Sequence, residues 1–293
     1  MERHQITGHT ELIGLLAYPI RHSQSPATHN AAYEKLGVDI VNLAFEVDAP
    51  ELEDAIKGLR ALKMRGANVS MPNKTIVHQY LDEISPAAKL CGAVNPIVNK
   101  DGYLVGHITD GIGYVQSLKD NDIDPTGKKV TIVGSGGAAT AVEIQAALDG
   151  VAEMSIFARD DKFKQNALDT VKKINENTNC KATFYPLEDL DKLKEEMHSS
   201  YLFTNATGVG MKPLEGQSVV PDKSYFRPEL IVVDVPYSPL ETAMRSMAKE
   251  VGCKTMNGLG MMLFQGSAAF ELWTGEPMPI EHMKEILNIR YDD

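Results

Sequence analysis

The residues best suited to chemistry begin with a glycine-rich run, Val133-Gly134-Ser135-Gly136-Gly137-Ala138-Ala139. It lies between an apolar stretch that reads as a strand and an Ala-rich stretch that reads as a helix. The spacing fits G-x-G-x-x-A, in which glycines permit a tight turn and let backbone N–H groups approach a pyrophosphate at the helix N-terminus. A simple tight turn would use the same residues, so the next strand matters. That strand, Ile156-Phe157-Ala158, runs into Arg159-Asp160-Asp161 about 25 positions after the glycines. A carboxylate there can accept hydrogen bonds from adenosine ribose hydroxyls and repel a 2′-phosphate. Asp160 and Asp161 can equally be a solvated helix start, and Arg159 can either stack on an adenine or hold such a phosphate.

A second group of polar residues sits at strand ends in the first half. His22-Ser23-Gln24-Ser25-Pro26 follows the first strand, where Ser25 before Pro26 reads as an N-cap with Pro at N1. Ser23 and Ser25 can also both donate to a carboxylate at that helix start. Asn68-Val69-Ser70-Met71-Pro72-Asn73-Lys74 closes the third strand. Lys74 needs a partner to be more than surface charge, and Asp110 of Thr109-Asp110-Gly111 is the candidate, unless it only caps the next helix. Gly92-Ala93-Val94-Asn95, Tyr237 and Gln265 taken singly are turn or core polar groups.

Around these residues, short apolar runs alternate with amphipathic stretches, the pattern of βαβ units around a parallel sheet. Strands are predicted at Leu12–Leu16, Asn42–Val47 and Ala67–Met71, with helices at Pro26–Leu36, Leu52–Leu62 and around Thr75–Leu81. Gly111–Leu118 reads as a helix before the polar linker Asn121–Lys128, so a boundary is expected near Asp110–Asp120. A second series then offers strands at Lys129–Val133, Met154–Ala158, Tyr201–Asn205 and Ile231–Asp234, with helices at Ala138–Leu148 and Phe163–Asn177. Met261–Trp273 and Ile280–Ile289 read as two helices able to return to the first half.

Composition narrows the class. The 293 residues suit two domains at roughly 100–200 residues each. A formal charge of -11, from 29 Lys+Arg against 40 Asp+Glu, argues against nucleic acid or an anionic membrane as partner. Cys91, Cys180 and Cys253 are far apart and form no C-x-x-C, pointing to a reduced, cytoplasmic protein with no metal site. The eight histidines are dispersed without ligand spacing, and no G-x-S-x-G elbow is present. The start Met1-Glu-Arg-His-Gln carries charge where a signal peptide would be apolar. Stretches such as Leu12–Ile20 are too short to span a bilayer.

In chain order, Pro19-Ile-Arg-His-Ser-Gln-Ser-Pro, Asn68-Val-Ser-Met-Pro-Asn-Lys, Gly92-Ala-Val-Asn, Thr109-Asp-Gly, Gly134-Ser-Gly-Gly-Ala-Ala, Asn205-Ala-Thr-Gly-Val-Gly-Met and Gly258-Leu-Gly-Met-Met-Leu-Phe-Gln-Gly resemble the shikimate dehydrogenase family. Ser-Met-Pro-Asn-Lys looks like its quinate/shikimate dehydrogenase branch. The resemblance implies an α/β, two-domain fold: a substrate-binding catalytic domain over 1–115, completed by 258–293, and a Rossmann NAD(P)-binding domain with a parallel sheet over 116–257. It implies oxidation of shikimate to 3-dehydroshikimate in the shikimate pathway, with quinate to 3-dehydroquinate as a second activity. Lys74 and Asp110 would be the catalytic pair. Ser23, Ser25, Ser70, Asn95, Tyr237 and Gln265 would hold the substrate. Gly134, Ser135, Gly136, Gly137, Ala138, Ala158, Arg159, Asp160, Asp161, Val235 and Gly258 would bind the cofactor.

Several positions depart from the family's usual residues. Ile108 stands for the usual Asn before Thr-Asp-Gly, Pro96 for the Thr after Gly-Ala-Val-Asn, and Asn42 for a tyrosine common in quinate-type members. Ala158-Arg159-Asp160 replaces the Asn-Arg-Thr of NADP-dependent members, so NAD is the expected cofactor, with NADP second. Small-molecule acids are the expected partners, and the chain a monomer or homodimer. Two alternatives share parts of the pattern: a methylenetetrahydrofolate dehydrogenase type, which would share the glycine motif, and a non-catalytic quinate/shikimate sensor. The ordered Lys74 and Asp110 argue against both.

Overall fold

The computed structural model describes residues 5–21, 23–161 and 164–289; His22 and the expected helix start at Phe163 lie outside them. The chain forms two compact units, one running to Thr109 and including Leu263–Ile289, the other spanning Asp110–Met262. The expected boundaries at 115/116 and 257/258 therefore differ from the observed ones by a few residues.

The first unit holds β1 (Glu11–Ala17), α1 (Ser25–Leu36), β2 (Ile40–Glu46), α2 (Leu52–Ala61), β3 (Gly66–Val69), β4 (Glu83–Ile84), α3 (Pro86–Cys91), β5 (Pro96–Lys100) and β6 (Tyr103–Gly106). Its sheet has the order β2-β1-β3-β5-β6-β4. The parallel pattern expected from the sequence holds where β1 pairs with β2 and β3. Beyond β3 the sheet is mixed: β3 pairs antiparallel with β5 and β5 antiparallel with β6, while the edge strand β4 pairs parallel with β6. The reversal is a two-residue hairpin. Asp101 and Gly102 both have positive φ, 53° and 95°, as a turn matching the strand twist requires. The helix expected around Thr75–Leu81 is instead two 3₁₀ turns, Asn73–Thr75 and Val77–Tyr80.

The second unit holds α4 (Asp110–Lys119), β7 (Lys129–Val133), α5 (Gly137–Leu148), β8 (Glu153–Ala158), α6 (Lys164–Asn177), β9 (Lys181–Pro186), α7 (Leu190–Ser199), β10 (Leu202–Asn205), β11 (Ile231–Asp234), α8 (Ala243–Val251) and β12 (Thr255–Met256). All its strands are parallel, in the order β12-β11-β10-β7-β8-β9. This is the doubly wound Rossmann order, which reverses between β7 and β10 and leaves a crevice at their C-terminal ends. The four inner strands, β11, β10, β7 and β8, are buried nearly throughout, as a sheet covered on both faces demands. Helix α4 belongs with this unit because Gly111 packs on α5. A Cβ at Gly111 would lie 2.2 Å from the Ala141 carbonyl oxygen. Tyr114, three residues on, pairs its hydroxyl with Thr204 Oγ1 at 2.6 Å.

The tail supplies α9 (Leu259–Thr274) and α10 (Ile280–Leu287). From Leu263 onward it is part of the first unit. Trp273 explains why: its indole N–H donates to the Ile97 carbonyl at 3.0 Å, and Arg65 Nε donates to the Trp273 carbonyl at 2.7 Å. Gly66 makes the approach possible, since a Cβ there would sit 2.2 Å from that Ile97 oxygen and 2.8 Å from the indole nitrogen. Among the described residues, no helix is long and apolar enough to cross a membrane. Trp273→Ala is expected to cost about 3–5 kcal/mol in urea unfolding, combining a lost core aromatic with an orphaned carbonyl.

Candidate functional site

In the second unit the turn after β7 is shaped by steric exclusion on one side and open space on the other. Gly134 has φ 148°, and a Cβ there would meet Ala139 Cβ at 2.8 Å and the Ala206 oxygen at 2.9 Å. At Gly136 and Gly137 a Cβ would meet nothing within 4 Å, so the backbone faces an open cradle. Helix α5 starts there with Gly136 as N-cap, no side-chain cap and no acidic residue in its first turn. Its N-terminal N–H groups and dipole therefore present positive potential to an anion. Asn166 of α6, which sequence reasoning missed, holds the turn: its Nδ2 donates to the Ser135 carbonyl at 2.5 Å and to Thr140 Oγ1 at 3.1 Å.

A cavity of about 310 Å³ opens beside this turn, lined by Val133, Gly134, Ser135 and Gly136, by Ala158, Arg159 and Asp161, and by Ala206–Val209 with Leu187, Leu214 and Val219. These come from the ends of β7, β8 and β10, the position where such folds hold dinucleotides. Expected residues Gly134, Ser135, Gly136, Ala158, Arg159 and Asp161 are brought together; Gly137, Ala138, Asp160, Val235 and Gly258 are not among the lining. Asp160 bonds Lys164 Nζ at 3.0 Å instead, while Arg159 Nε pairs with Asp161 at 3.3 Å. Val235 and Gly258 do meet each other. A Cβ at Gly258 would lie 1.8 Å from the Val235 oxygen. The loop after β10 is a further part that spacing alone did not mark, although Asn205-Ala-Thr-Gly was legible as a motif. Tyr237 is 42% exposed in this same unit.

Six expected substrate and catalytic residues lie in the first unit: Ser23, Ser25, Ser70, Lys74, Asn95 and Gln265. The helix after β1 begins at Ser25, with Gln24 as N-cap and Pro26 in the first turn. Ser25 is thus not the N-cap the sequence suggested. Ser23 Oγ accepts from the Ser25 N–H at 3.2 Å, which lets the helix start one residue earlier. Asn95 is fully buried; its Nδ2 donates to Thr109 Oγ1 at 2.9 Å and to Gln265 Oε1 at 3.4 Å, while its Oδ1 accepts from the Thr109 N–H at 2.8 Å. The neighbouring Val94 N–H donates to the Lys74 carbonyl at 2.9 Å. One short segment therefore anchors Lys74 and clamps Thr109, the residue before Asp110. Asp110 is itself the first helical residue of α4, not a cap preceding it, and belongs to the second unit.

Two buried groups support this half. His29 lies between carbonyls, Nδ1 2.9 Å from Ser25 O and Nε2 3.3 Å from Gly266 O, and burial lowers its pKa. A neutral imidazole donates from one nitrogen only, so one contact at most is a hydrogen bond at neutral pH. Asn42, where a substrate-facing tyrosine was the family alternative, is buried on α1: its backbone N–H and carbonyl are both bonded to the Asn30 amide, at 2.7 and 2.9 Å.

The chain has regions similar to two family models, the shikimate dehydrogenase substrate binding domain over residues 15–97 and the shikimate 5′-dehydrogenase C-terminal domain over 258–287. It is 60% identical to shikimate dehydrogenase (NADP(+)) of Listeria innocua, over 97% of each chain. The crystal structure of shikimate 5-dehydrogenase from Listeria monocytogenes in complex with shikimate and NAD is 60% identical, covering 97% of this chain and 98% of that one, with a TM-score of 0.95. Quinate dehydrogenase from Corynebacterium glutamicum in complex with NAD is 26% identical over 96% and 99% of the two chains, with a TM-score of 0.86.

Helix α5 also carries Glu143, fully buried with neither carboxylate oxygen hydrogen-bonded, and burial pushes its pKa up to about 8. The folded chain thus keeps a proton that the unfolded chain releases from its ordinary value of 4.5 upward. Stability contributed by the neutral acid is present below that value and is lost as pH rises towards 8, by at most about 1.4 kcal/mol per pH unit. Glu143→Met is expected to raise the urea midpoint over wild type, with the gap widening from pH 5 to pH 8.

Proposed function

The chain belongs to the shikimate dehydrogenase family, and we propose that it interconverts shikimate and 3-dehydroshikimate with Lys74 and Asp110 as its acid–base pair. The observation that carries the activity is 60% identity spread over 97% of both chains, far beyond a shared fold. Substrate belongs to the first unit. Ser23 and Ser25 offer hydroxyls and a helix start to its carboxylate, and Ser70, Asn95 and Gln265 offer donors and acceptors to ring hydroxyls. Neutral groups suit this task because they bind an anion in a chain of net charge -11 without needing a counterion.

Bound in the second unit's cavity, a nicotinamide dinucleotide supplies the hydride acceptor in one direction and the donor in the other. The chain's own task is the proton. In oxidation Lys74 takes the hydroxyl proton; in reduction it returns a proton to the carbonyl oxygen. Asp110 is the second member of the pair in that proton transfer. Lys74→Ala is expected to lower kcat by about 10²–10⁴-fold, the usual range for general acid–base catalysis. Dinucleotide affinity, read by NADH fluorescence titration, stays at the wild-type value. Near-normal turnover would remove Lys74 from this role.

NAD is the favoured nucleotide in this reading, although the Listeria innocua relative is named for NADP(+). What supports it is Asp161. Its carboxylate lines the cavity and already pairs with Arg159, the cation that would otherwise hold a 2′-phosphate. A steady-state comparison tests this: kcat/KM is higher with NAD than with NADP, and Asp161→Ser moves the ratio about tenfold towards NADP, the equivalent of 1.4 kcal/mol. A wild-type ratio strongly favouring NADP would overturn it. The same assay with quinate in place of shikimate asks for the second activity. Cys91, Cys180 and Cys253 are in no disulfide, in keeping with work in the reducing cytoplasm.

A further inference from the structure

Beneath the cavity lies a buried carboxylate with no part in the proton chemistry. Asp234 ends β11 and has no solvent exposure. It stands opposite Asn205 in the parallel β10–β11 ladder. One oxygen accepts from Asn205 Nδ2 at 2.8 Å, and the other accepts from the Thr242 hydroxyl. Thr242 Oγ1 in turn accepts from the Arg245 N–H at 3.2 Å, capping α8.

Asn205 passes this restraint to the cavity wall. With Nδ2 held towards Asp234 and donating to the Val209 carbonyl at 3.1 Å, its Oδ1 must face the other way. There it accepts from the Thr207 N–H at 3.1 Å and the Thr207 hydroxyl at 2.7 Å. Thr207 Oγ1 then accepts from the Val209 N–H at 3.0 Å. The carboxylate therefore selects the orientation of the Asn205 amide, and the amide shapes Ala206–Val209, all four of which line the cavity. A flipped amide would set its oxygen against the carboxylate and its NH₂ against the Thr207 N–H.

We propose that Asp234 is a positioning residue for the dinucleotide: acting through Asn205, it holds the Ala206–Val209 wall in its binding shape. This rests on the dinucleotide reading of the cavity. A charged acceptor bonds an amide more strongly than a neutral acid does, so protonation of Asp234 loosens the wall. The charged groups acting on Asp234 are Arg245, which favours its ionised form, and Glu241, which opposes it; Asn205 and Thr242 favour the ionised form as donors. Burial outweighs them and pushes the pKa up to about 6. Affinity is thus full above that value and falls as pH drops through it.

The test is equilibrium binding of NADH by fluorescence titration, with no acid substrate, from pH 5 to 7.5. For wild type the Kd is expected to rise about tenfold at the acid end, as a group titrating near 6 dictates when only its ionised form supports binding. In Asp234→Asn the Kd is expected to be weakened at pH 7.5 and level across the range. A level wild-type curve, or an unchanged slope in Asp234→Asn, would overturn the proposal while leaving the cavity's role intact. No NADH binding by wild type at any pH would instead remove the dinucleotide reading. If Asp234→Asn fails to fold, the wild-type curve decides, supported by Asn205→Ser, in which binding is expected to be weak and its pH dependence diminished.

Discussion

The second unit depends on one constraint: the backbone at Gly134 must pass closer to Ala139 and Ala206 than a side chain allows. That close passage brings the end of β7 against the start of α5 and against the loop after β10. Parallel strands with helices on both faces leave a crevice where the strand order reverses, and here it falls between β7 and β10. What fills the crevice is determined by what is missing from it. There is no side-chain cap on α5, no acidic residue in its first turn, and no Cβ at Gly136 or Gly137. A group rich in anionic oxygens can be bound there by N–H groups at little cost in desolvated charge.

The first unit solves a different problem, that of holding several short polar side chains at fixed places. It does so with buried or half-buried amides, whose two donors and two acceptors allow one residue to tie two segments. Asn95 joins the 93–95 turn to Thr109 and to Gln265 of α9. Asn30 bridges both backbone groups of Asn42, and Asn205 does the equivalent work in the second unit. Such amides are costly to bury unsatisfied, and here they bond to backbone groups, to hydroxyls, to one another and, at Asn205, to the Asp234 carboxylate. Solvent-accessible ion pairs such as Lys57–Glu53 add little stability individually.

Much of this was legible in the residues. The alternation of apolar runs and amphipathic stretches identified the strands of the second sheet that carry the glycine turn, because buried parallel strands are apolar along their length. The antiparallel half of the first sheet was not read, although Asp101-Gly102 between Pro96–Lys100 and Tyr103–Gly106 is a strong hairpin signal. It was masked by the expectation of a uniform βαβ series. The 3₁₀ turns around Lys74 could not be read either: residues 75–81 have helical spacing, but the Val94 N–H donates to the Lys74 carbonyl and the run forms two short turns.

By itself the sequence determined the class of each unit, the glycine turn, and the ordered set of Ser23, Ser25, Lys74, Asp110 and Gln265, because periodicity and residue type are local properties. Only the tertiary structure decided which of two adjacent aspartates lines the cavity, since Asp161 turns inward and Asp160 is drawn out to Lys164. It also decided that Ser23 takes up the N–H before Pro26, that Asn166 holds the glycine turn and that Asp234 holds the Asn205 amide, both from positions distant in sequence. The reason is physical. A side chain's partner is settled by which atoms lie within about 3 Å in the folded chain, and residues 30 positions apart reach that distance only through the packing of sheet and helix.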